Sequence, residues 1–130
     1  MAHPNEELLR RQDEAFRKGD VGALFDTFTD DVKFHGAGSS SLSGDYEGKD
    51  ALVELFGRYI QAVGENPQFE NHDILANDEH GVALQTLRAT KGDRSIEIRS
   101  VAIYHFRDGK VSEWWTVDMN QAESDAFYDA

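Results

Sequence analysis

Apolar side chains in the first half of the chain are spaced as they are in amphipathic helices. The stretch Asn5–Lys18 predicts a helix whose first residue can cap it and which Gly19-Asp20 ends. A shorter helix is predicted at Val21–Phe28, and a third begins at Gly48-Lys49-Asp50 and runs to about Val63. The apolar stripe of the third helix consists of Leu52, Leu55, Phe56, Tyr59 and Val63.

From Phe69 onward, polar and apolar residues follow the pattern of strands, and short turns separate the stretches. The predicted strands are Val32–His35, which lies between the helices, and then Phe69–Ala76, Val82–Thr90, Ser95–Phe106 and Val111–Met119. The tail to Ala130 predicts a short acidic helix, and Gly36–Gly44 predicts a mobile loop. Helices that are segregated from an antiparallel meander indicate one α+β domain over residues 1–130.

The turn around Asp108 leaves the register of the last two strands open. A two-residue turn pairs Arg107 with Lys110, whereas a three-residue loop with a bulge at Gly109 pairs Phe106 with Lys110. The two registers differ by one residue, so they exchange the faces of one strand relative to the other.

Each alternative sends different side chains to the interior. The three-residue loop gives a mixed face, as a ligand pocket requires, and an apolar face that a second subunit would cover. The mixed face holds Ile98, Ser100, Ala102, Tyr104, Ser112, Trp114, Thr116 and Asp118, and the apolar face holds Val101, Ile103, His105, Trp115 and Val117. The two-residue turn gives one plain core face and an ion pair between Arg99 and Asp118.

Composition narrows the class of function. The chain carries 13 Lys and Arg against 25 Asp and Glu, a formal net charge of −12. This charge disfavours binding to nucleic acids and to anionic membrane surfaces. The sequence contains no Cys, which excludes disulfides, thiolate metal sites and Cys nucleophiles. Since no apolar stretch is long enough to span a membrane and the N-terminus is polar, we expect a cytoplasmic protein without nucleic-acid or membrane partners.

The order of elements and several short signatures are similar to those of a known family. The signatures are Phe34-His35, Gly48-Lys49-Asp50-Ala51, His72-Asp73-Ile74-Leu75-Ala76, Arg107-Asp108-Gly109-Lys110-Val111 and Glu113-Trp114-Trp115. From Asn5 to Phe127, the chain resembles the SnoaL-like branch of the nuclear transport factor two-like superfamily. Ketosteroid isomerase, polyketide cyclases and limonene epoxide hydrolase are relatives in this superfamily.

The resemblance implies a cone-shaped fold, in which a curved antiparallel sheet wraps around three N-terminal helices and encloses a deep apolar pocket. It also implies a homodimer through the convex sheet face, near Ile103 and Trp115, and it favours the three-residue loop. We expect the pocket to bind a small apolar or polycyclic molecule, with no cofactor and no metal.

Two polar residues are candidates for catalysis. The resemblance implies that His35 points inward from the first strand, where its imidazole could transfer protons near neutral pH. If Asp118 points inward at the end of the last strand, burial would raise its pKa toward that of a useful base. The residues expected to line the pocket are Phe16, Phe56, Tyr104, Trp114 and Thr116, each of which could instead be ordinary core.

Other features carry less chemistry. The acid that the resemblance to the epoxide hydrolase implies on the last strand would fall near Thr116, which is not an acid. Arg88 is expected to pair with Glu97 across the turn between their strands. The stretches His72-Asp73 and Asp78-Glu79-His80 lack the spacing of a metal site.

Two functions remain open at this point. The first is an enzyme with cofactor-free acid–base chemistry, of the isomerase, cyclase, dehydratase or hydrolase type. The second is a non-catalytic ligand-binding or dimerisation module of the same fold. Both share a pocket that holds a small molecule.

Overall fold

The computed structural model describes residues 2–130. The helices are α1 (Pro4–Lys18), α2 (Val21–Phe25), α3 (Lys49–Ala62) and α4 (Gln121–Tyr128). The strands are β1 (Phe28–Gly36), β2 (Gly44–Glu47), β3 (Glu65–Ala76), β4 (His80–Lys91), β5 (Arg94–Arg107) and β6 (Lys110–Asp118).

The strands form one curved, open sheet in the order β2-β1-β6-β5-β4-β3. All neighbouring strands are antiparallel except β1 and β6, which run parallel. Helix α1 packs against β3 and β4, and α3 packs against β1 and β2. The fold is therefore the α+β cone that the sequence predicted, with one parallel pair in a sheet that was expected to be antiparallel throughout.

Helix α1 begins with a different cap from the one predicted. The cap is His3, whose Nδ1 accepts a hydrogen bond from the Asn5 backbone N–H at 3.0 Å. Pro4 at the start of the helix and acidic side chains in its first turn suit its positive end. Gly19, with φ of 70°, ends the helix in the left-handed conformation.

The region after α1 differs most from the sequence prediction. Helix α2 ends at Phe25, and Phe28 already belongs to β1. Two contacts explain this: the Val111 N–H donates to the Thr27 carbonyl at 2.8 Å, and the Phe28 ring stacks on Trp114 at 4.9 Å. Pairing with the last strand thus overrides the local helical pattern.

The turn between β5 and β6 combines the two registers that the sequence left open. Arg107 pairs with Lys110, and both residues between them have positive φ, as a two-residue type I′ turn requires. The register then shifts between Val111 and Glu113, so Ser112 is an extra residue on β6.

Beyond this bulge, Tyr104 lies opposite Trp114, Ala102 opposite Thr116 and Ser100 opposite Asp118. The division of side chains between faces is therefore the one expected for the three-residue loop, although the turn itself has two residues. The ion pair between Arg99 and Asp118, which the other register would have given, does not form, and Arg99 instead lies 3.6 Å from Glu97.

Within residues 2–130, no helix combines the length and the apolar character that crossing a bilayer demands.

Candidate functional site

A cavity of about 190 Å3 lies on the concave side of the sheet, where α1, α3 and α4 close over it. Aromatic side chains form much of its wall: Phe16, Phe28, Phe34, Phe56, Tyr59, Phe69, Tyr104, Trp114 and Tyr128. Several of them contact one another; for example, Phe16 packs edge-on against Phe56 and Phe69. The wall is thus closely packed and mostly apolar, as small-molecule sites commonly are.

One group of polar side chains surrounds Asp13 on α1. Asp13 is only 8% exposed, and its Oδ2 accepts a hydrogen bond from Arg17 at 2.9 Å. Its Oδ1 is buried and has no hydrogen-bond partner among the residues that the structure describes. Burial and the negative charge of Asp13 raise the pKa of Tyr104, an effect that the Gln85 side chain opposes. The Tyr104 hydroxyl therefore stays protonated at neutral pH.

A second group surrounds Asp118, at the end of β6. Its Oδ2 accepts a hydrogen bond from Ser124 Oγ at 2.7 Å, and its backbone N–H donates to Gln121 Oε1 at 3.1 Å. Burial is the main reason that the pKa of Asp118 is raised; the Ser124 hydrogen bond opposes the shift, and Asp125 adds to it. Burial and the charge of Asp118 also raise the pKa of Tyr59, which lies on α3. This group therefore places a carboxyl with a raised pKa near a phenol that remains a hydrogen-bond donor.

The loop between β1 and β2 closes the cavity beside α4. The Ser39 N–H donates to Asp125 Oδ2, and the Ser41 N–H donates to Asp129 Oδ1, both at 2.9 Å. Gly38 lies so close to α4 that a Cβ there would fall 2.4 Å from Gln121 Nε2. The loop that the sequence predicted is thus attached to α4 by carboxylates of the acidic tail.

Six of the predicted site residues meet in this cavity. They are Phe16, Phe56, Tyr104, Trp114, Thr116 and Asp118. Tyr104 lies on β5, whereas Trp114, Thr116 and Asp118 lie on β6. The bulge at Ser112 shifts the register by one residue, and this shift places the even-numbered residues of both strands on the same face.

His35 does not lie in the cavity, and its predicted inward orientation is wrong. Side chains alternate along β1, and the preceding Phe34 is the one that faces inward, only 8% exposed. His35 points to the convex side, where its ring stacks on Trp115 at 5.2 Å between centroids.

The surroundings of His35 are those of a charged imidazole. Nδ1 lies 2.6 Å from Asp45 Oδ1, and Nε2 lies 2.6 Å from Glu113 Oε2. Because carboxylates only accept hydrogen bonds, both ring nitrogens donate, and these contacts raise the pKa of His35, with Asp45 the larger cause. His35 thus ties β1 to β2 and β6 on the face away from the cavity.

Sequence reasoning missed Asp13 and its neighbours Gln12 and Gln85. Asp13 follows Leu9 by four residues and precedes Phe16 by three, so it lies on the apolar face of α1. A carboxylate on such a face was the available signal, because an acid is rarely buried without a specific partner.

The remaining features lie outside the cavity. Arg88 and Glu97 form the predicted ion pair at 2.9 Å. The hydroxyl of Tyr46 donates to the Leu42 carbonyl at 2.9 Å. Over residues 2–130, no group of three or more His, Cys, Asp or Glu side chains is arranged to hold a metal ion.

The convex face of the sheet presents apolar side chains to solvent. Ile103 is 38% exposed and Val117 is 48% exposed, and both flank the half-buried Trp115. Polar groups border this strip, with Arg88 and Glu97 toward one end and His35 toward the other. An apolar centre with a polar border is the anatomy of a protein–protein interface.

Comparison with known proteins agrees with this fold. The family model of the SnoaL-like domain matches residues 9–114 of the chain. The chain belongs to the SnoaL-like family. Among curated proteins, an uncharacterized protein of Mycobacterium tuberculosis is 25% identical over 123 residues, which cover 94% of each chain.

Several solved structures share the architecture. Bal32a, from a soil-derived mobile gene cassette, superposes with a TM-score of 0.90 and 25% identity over 98% of each chain. An NTF2-like protein of unknown function from Burkholderia pseudomallei superposes with a TM-score of 0.86 and 20% identity, over 98% of this chain and 99% of that one. The nuclear transport factor two-like fold expected from the sequence is therefore confirmed over nearly the whole chain.

Proposed function

We propose that this SnoaL-like protein binds a small, mostly apolar molecule in the cavity, and that Asp118 accepts a hydrogen bond from it. The observation that carries the proposal is the half-buried carboxyl of Asp118 in a mostly aromatic wall. A carboxylate in such surroundings is costly unless it is paired and hydrogen-bonded, and a ligand that donates to it adds to the single side-chain hydrogen bond from Ser124.

The size of the cavity indicates the size of the ligand. At about 190 Å3, the cavity is larger than a 150 Å3 cavity known to bind benzene and smaller than typical drug-sized pockets of about 300–1,000 Å3. This volume favours a molecule of one or two rings over a larger polycyclic one.

The matching probes are 2-naphthol and naphthalene, which differ by one hydrogen-bond donor. We expect 2-naphthol to bind about 10-fold more tightly in calorimetric titrations, because its hydroxyl donates to the Asp118 carboxylate. The Asp118→Asn variant should lose most of that difference. Asp93→Asn makes the same change in the exposed β4–β5 turn and should leave it unaltered. Failure of both probes to bind would contradict the proposed function.

A second candidate function is acid–base catalysis at Asp118, and the raised pKa of its carboxyl favours it. The carboxylate would take a proton from the bound molecule, and the protonated Tyr59 hydroxyl could donate a hydrogen bond to an oxygen that becomes negative. His35 takes no part in this scheme because it lies on the other face of the sheet. Its role is to connect strands.

The convex face supports a further part of the proposal, which is that two copies of the chain associate through it. The exposed side chains of Ile103 and Val117 lie on adjacent strands and form one strip with Trp115. A symmetric dimer would place this strip against its own copy and remove it from water.

A further inference from the structure

The cavity is acidic as well as aromatic. Asp13, Asp118 and Asp125 contribute to its wall, and no Lys, Arg or His in residues 2–130 does so. Carboxylates that line a cavity repel anionic ligands inside it, whereas they attract cations. The faces of aromatic rings attract cations as well. The wall therefore discriminates between ligands by charge and not only by shape.

One carboxylate oxygen of Asp13 has no hydrogen-bond donor among the described residues. Its Oδ2 is held by Arg17, whose own side chain is largely exposed, and this contact fixes the orientation of the carboxylate. Its Oδ1 is buried beside the cavity and accepts no hydrogen bond from any described residue. A buried acceptor without a donor is destabilising, so a ligand that offers an O–H or N–H group there recovers that free energy.

Asp118 and Asp125 lack a counter-charge. Asp118 accepts from the neutral hydroxyl of Ser124, and Asp125 accepts from the Gln121 amide and the Ser39 N–H. Arg58 contacts the Ser41 carbonyl and does not line the cavity. Carboxylates in a partly buried site are normally balanced by a cation, which the described part of the chain does not place here.

We propose that the natural ligand is an organic cation, namely a small one- or two-ring amine. Its ammonium group lies against Asp118 and Asp125, and a hydroxyl or N–H group at its other end donates to Asp13. This inference rests on the proposed binding function and adds the charge of the ligand to it.

Three probes of nearly the same shape test the charge directly. Tyramine is cationic, 4-(2-hydroxyethyl)phenol is neutral and 4-hydroxyphenylacetate is anionic at pH 7. In calorimetric titrations of the full chain at low salt, we expect tyramine to bind about 10-fold or more tightly than the neutral alcohol, in line with a charge-assisted hydrogen bond. The anion should show no measurable binding.

Two variants locate the interaction. Asp118→Asn should bring the affinity for tyramine close to that for the neutral alcohol, whereas the exposed Asp93→Asn control should keep the wild-type preference. In Asp13→Asn, phenethylamine, which lacks the phenol hydroxyl, should bind nearly as well as tyramine. Circular dichroism and thermal melts of each variant establish that it is folded before it is titrated.

The outcomes separate this inference from the proposed function. Equal affinities for tyramine and the neutral alcohol, or tighter binding of the anion, would overturn the inference and leave the cavity as a site for neutral molecules. Binding of 2-naphthol without binding of tyramine would do the same. If neither these probes nor 2-naphthol bind to the wild-type chain, both proposals fail.

Discussion

Two titratable side chains on opposite faces of the sheet show how the same fold changes the acidity of single residues. Asp118 faces the cavity, where burial raises its pKa and favours the neutral carboxyl. His35 faces outward, where Asp45 and Glu113 raise its pKa and favour the charged imidazole. Asp118 is therefore suited to exchange a proton with a ligand, and His35 is suited to hold strands together.

The Asp118→Asn variant should be more stable than the wild type at neutral pH. The pKa of Asp118 is higher in the folded chain than its ordinary value of 3.8, so its protonated form stabilises the fold, and that contribution is lost as pH rises through the folded pKa. Asparagine mimics the neutral form at every pH. We expect the melting temperature of the variant to exceed that of the wild type by about 2–4 °C at pH 7.

The same difference should disappear near pH 3, where both proteins carry an uncharged side chain at this position. Thermal unfolding followed by circular dichroism at the two pH values measures it. A variant that is less stable than the wild type at pH 7 would show that the negative charge of Asp118 stabilises the fold, which contradicts this prediction.

His35→Gln should have the opposite dependence on pH. Because the folded pKa is raised, the ion pairs of His35 stabilise the chain fully below its ordinary pKa of 6.5, and they are lost as pH rises through the folded value. The loss of melting temperature on substitution should thus be larger at pH 6 than at pH 9. The exposed His72→Gln variant is the matched control and should show no such trend.

At the scale of elements, local patterns predicted the helices and most strands but not the details that long-range pairing decides. The stripes on α1 and α3 appear in the sequence because one helix face is buried throughout. Strand β2 has four residues, a pattern too short to recognise, and its only strand partner is β1. The bulge at Ser112 has no local signature, although it decides which side chains of β6 enter the cavity.

The candidate site could be predicted only in part for the same reason. Trp114, Thr116 and Asp118 share a face because side chains alternate along a strand, so the sequence alone groups them. The register then decides that Tyr104 of the neighbouring strand lies on the same face. The prediction for β1 was wrong because the inward orientation of His35 rested on the resemblance alone. The predicted strand Val32–His35 is too short for alternation to show that Phe34 is the inward residue. Asp13 was overlooked because it lies among apolar positions of a helix that was interpreted as core.

The contact between the β1–β2 loop and α4 gives a prediction for Gly38. Its φ of 92° is one that L side chains rarely adopt, and a Cβ there would displace the ends of the Gln121 and Asp125 side chains. Gly38→Ala should therefore release the loop from α4 and expose the Ser39 and Ser41 amides to faster hydrogen exchange. We expect it to lower the free energy of unfolding by about 1–3 kcal/mol.

Gly92→Ala provides the control for backbone strain alone. Gly92 also has a positive φ, of 61°, but a Cβ there would meet no atom within 4 Å. It should cost stability without changing exchange at Ser39 and Ser41. Equal exchange rates in the wild type and in Gly38→Ala would show that the loop is not held by α4.

At the scale of the whole molecule, we propose a separate role for each face of the sheet. The concave face with the helices encloses the cavity, and the convex face carries the apolar strip for a second copy. The chain carries a net charge of −12, which disfavours anionic ligands and increases the encounter rate with cationic ones. A cationic ligand therefore suits the molecule at long range as well as in the cavity.

Substitution of Ile103 or Trp115 by Glu should produce monomers in sedimentation velocity experiments, because a buried, unpaired carboxylate at the centre of an interface is strongly unfavourable. Val53→Glu makes the same kind of change at a 50% exposed side chain on α3, a helix that packs on the concave side of the sheet, and it should leave the association state of the wild type intact. An unchanged dimer in both convex-face variants would exclude this face as the interface.

The most direct test of the account follows the two indole N–H signals in a heteronuclear NMR titration with 2-naphthol. Trp114 lines the cavity, and its neighbour Trp115 lies on the convex face, so the two residues report on opposite sides of one strand. The account predicts that the Trp114 signal shifts in a saturable manner while the Trp115 signal stays in place. A shift of Trp115 alone, or of neither signal, would contradict it.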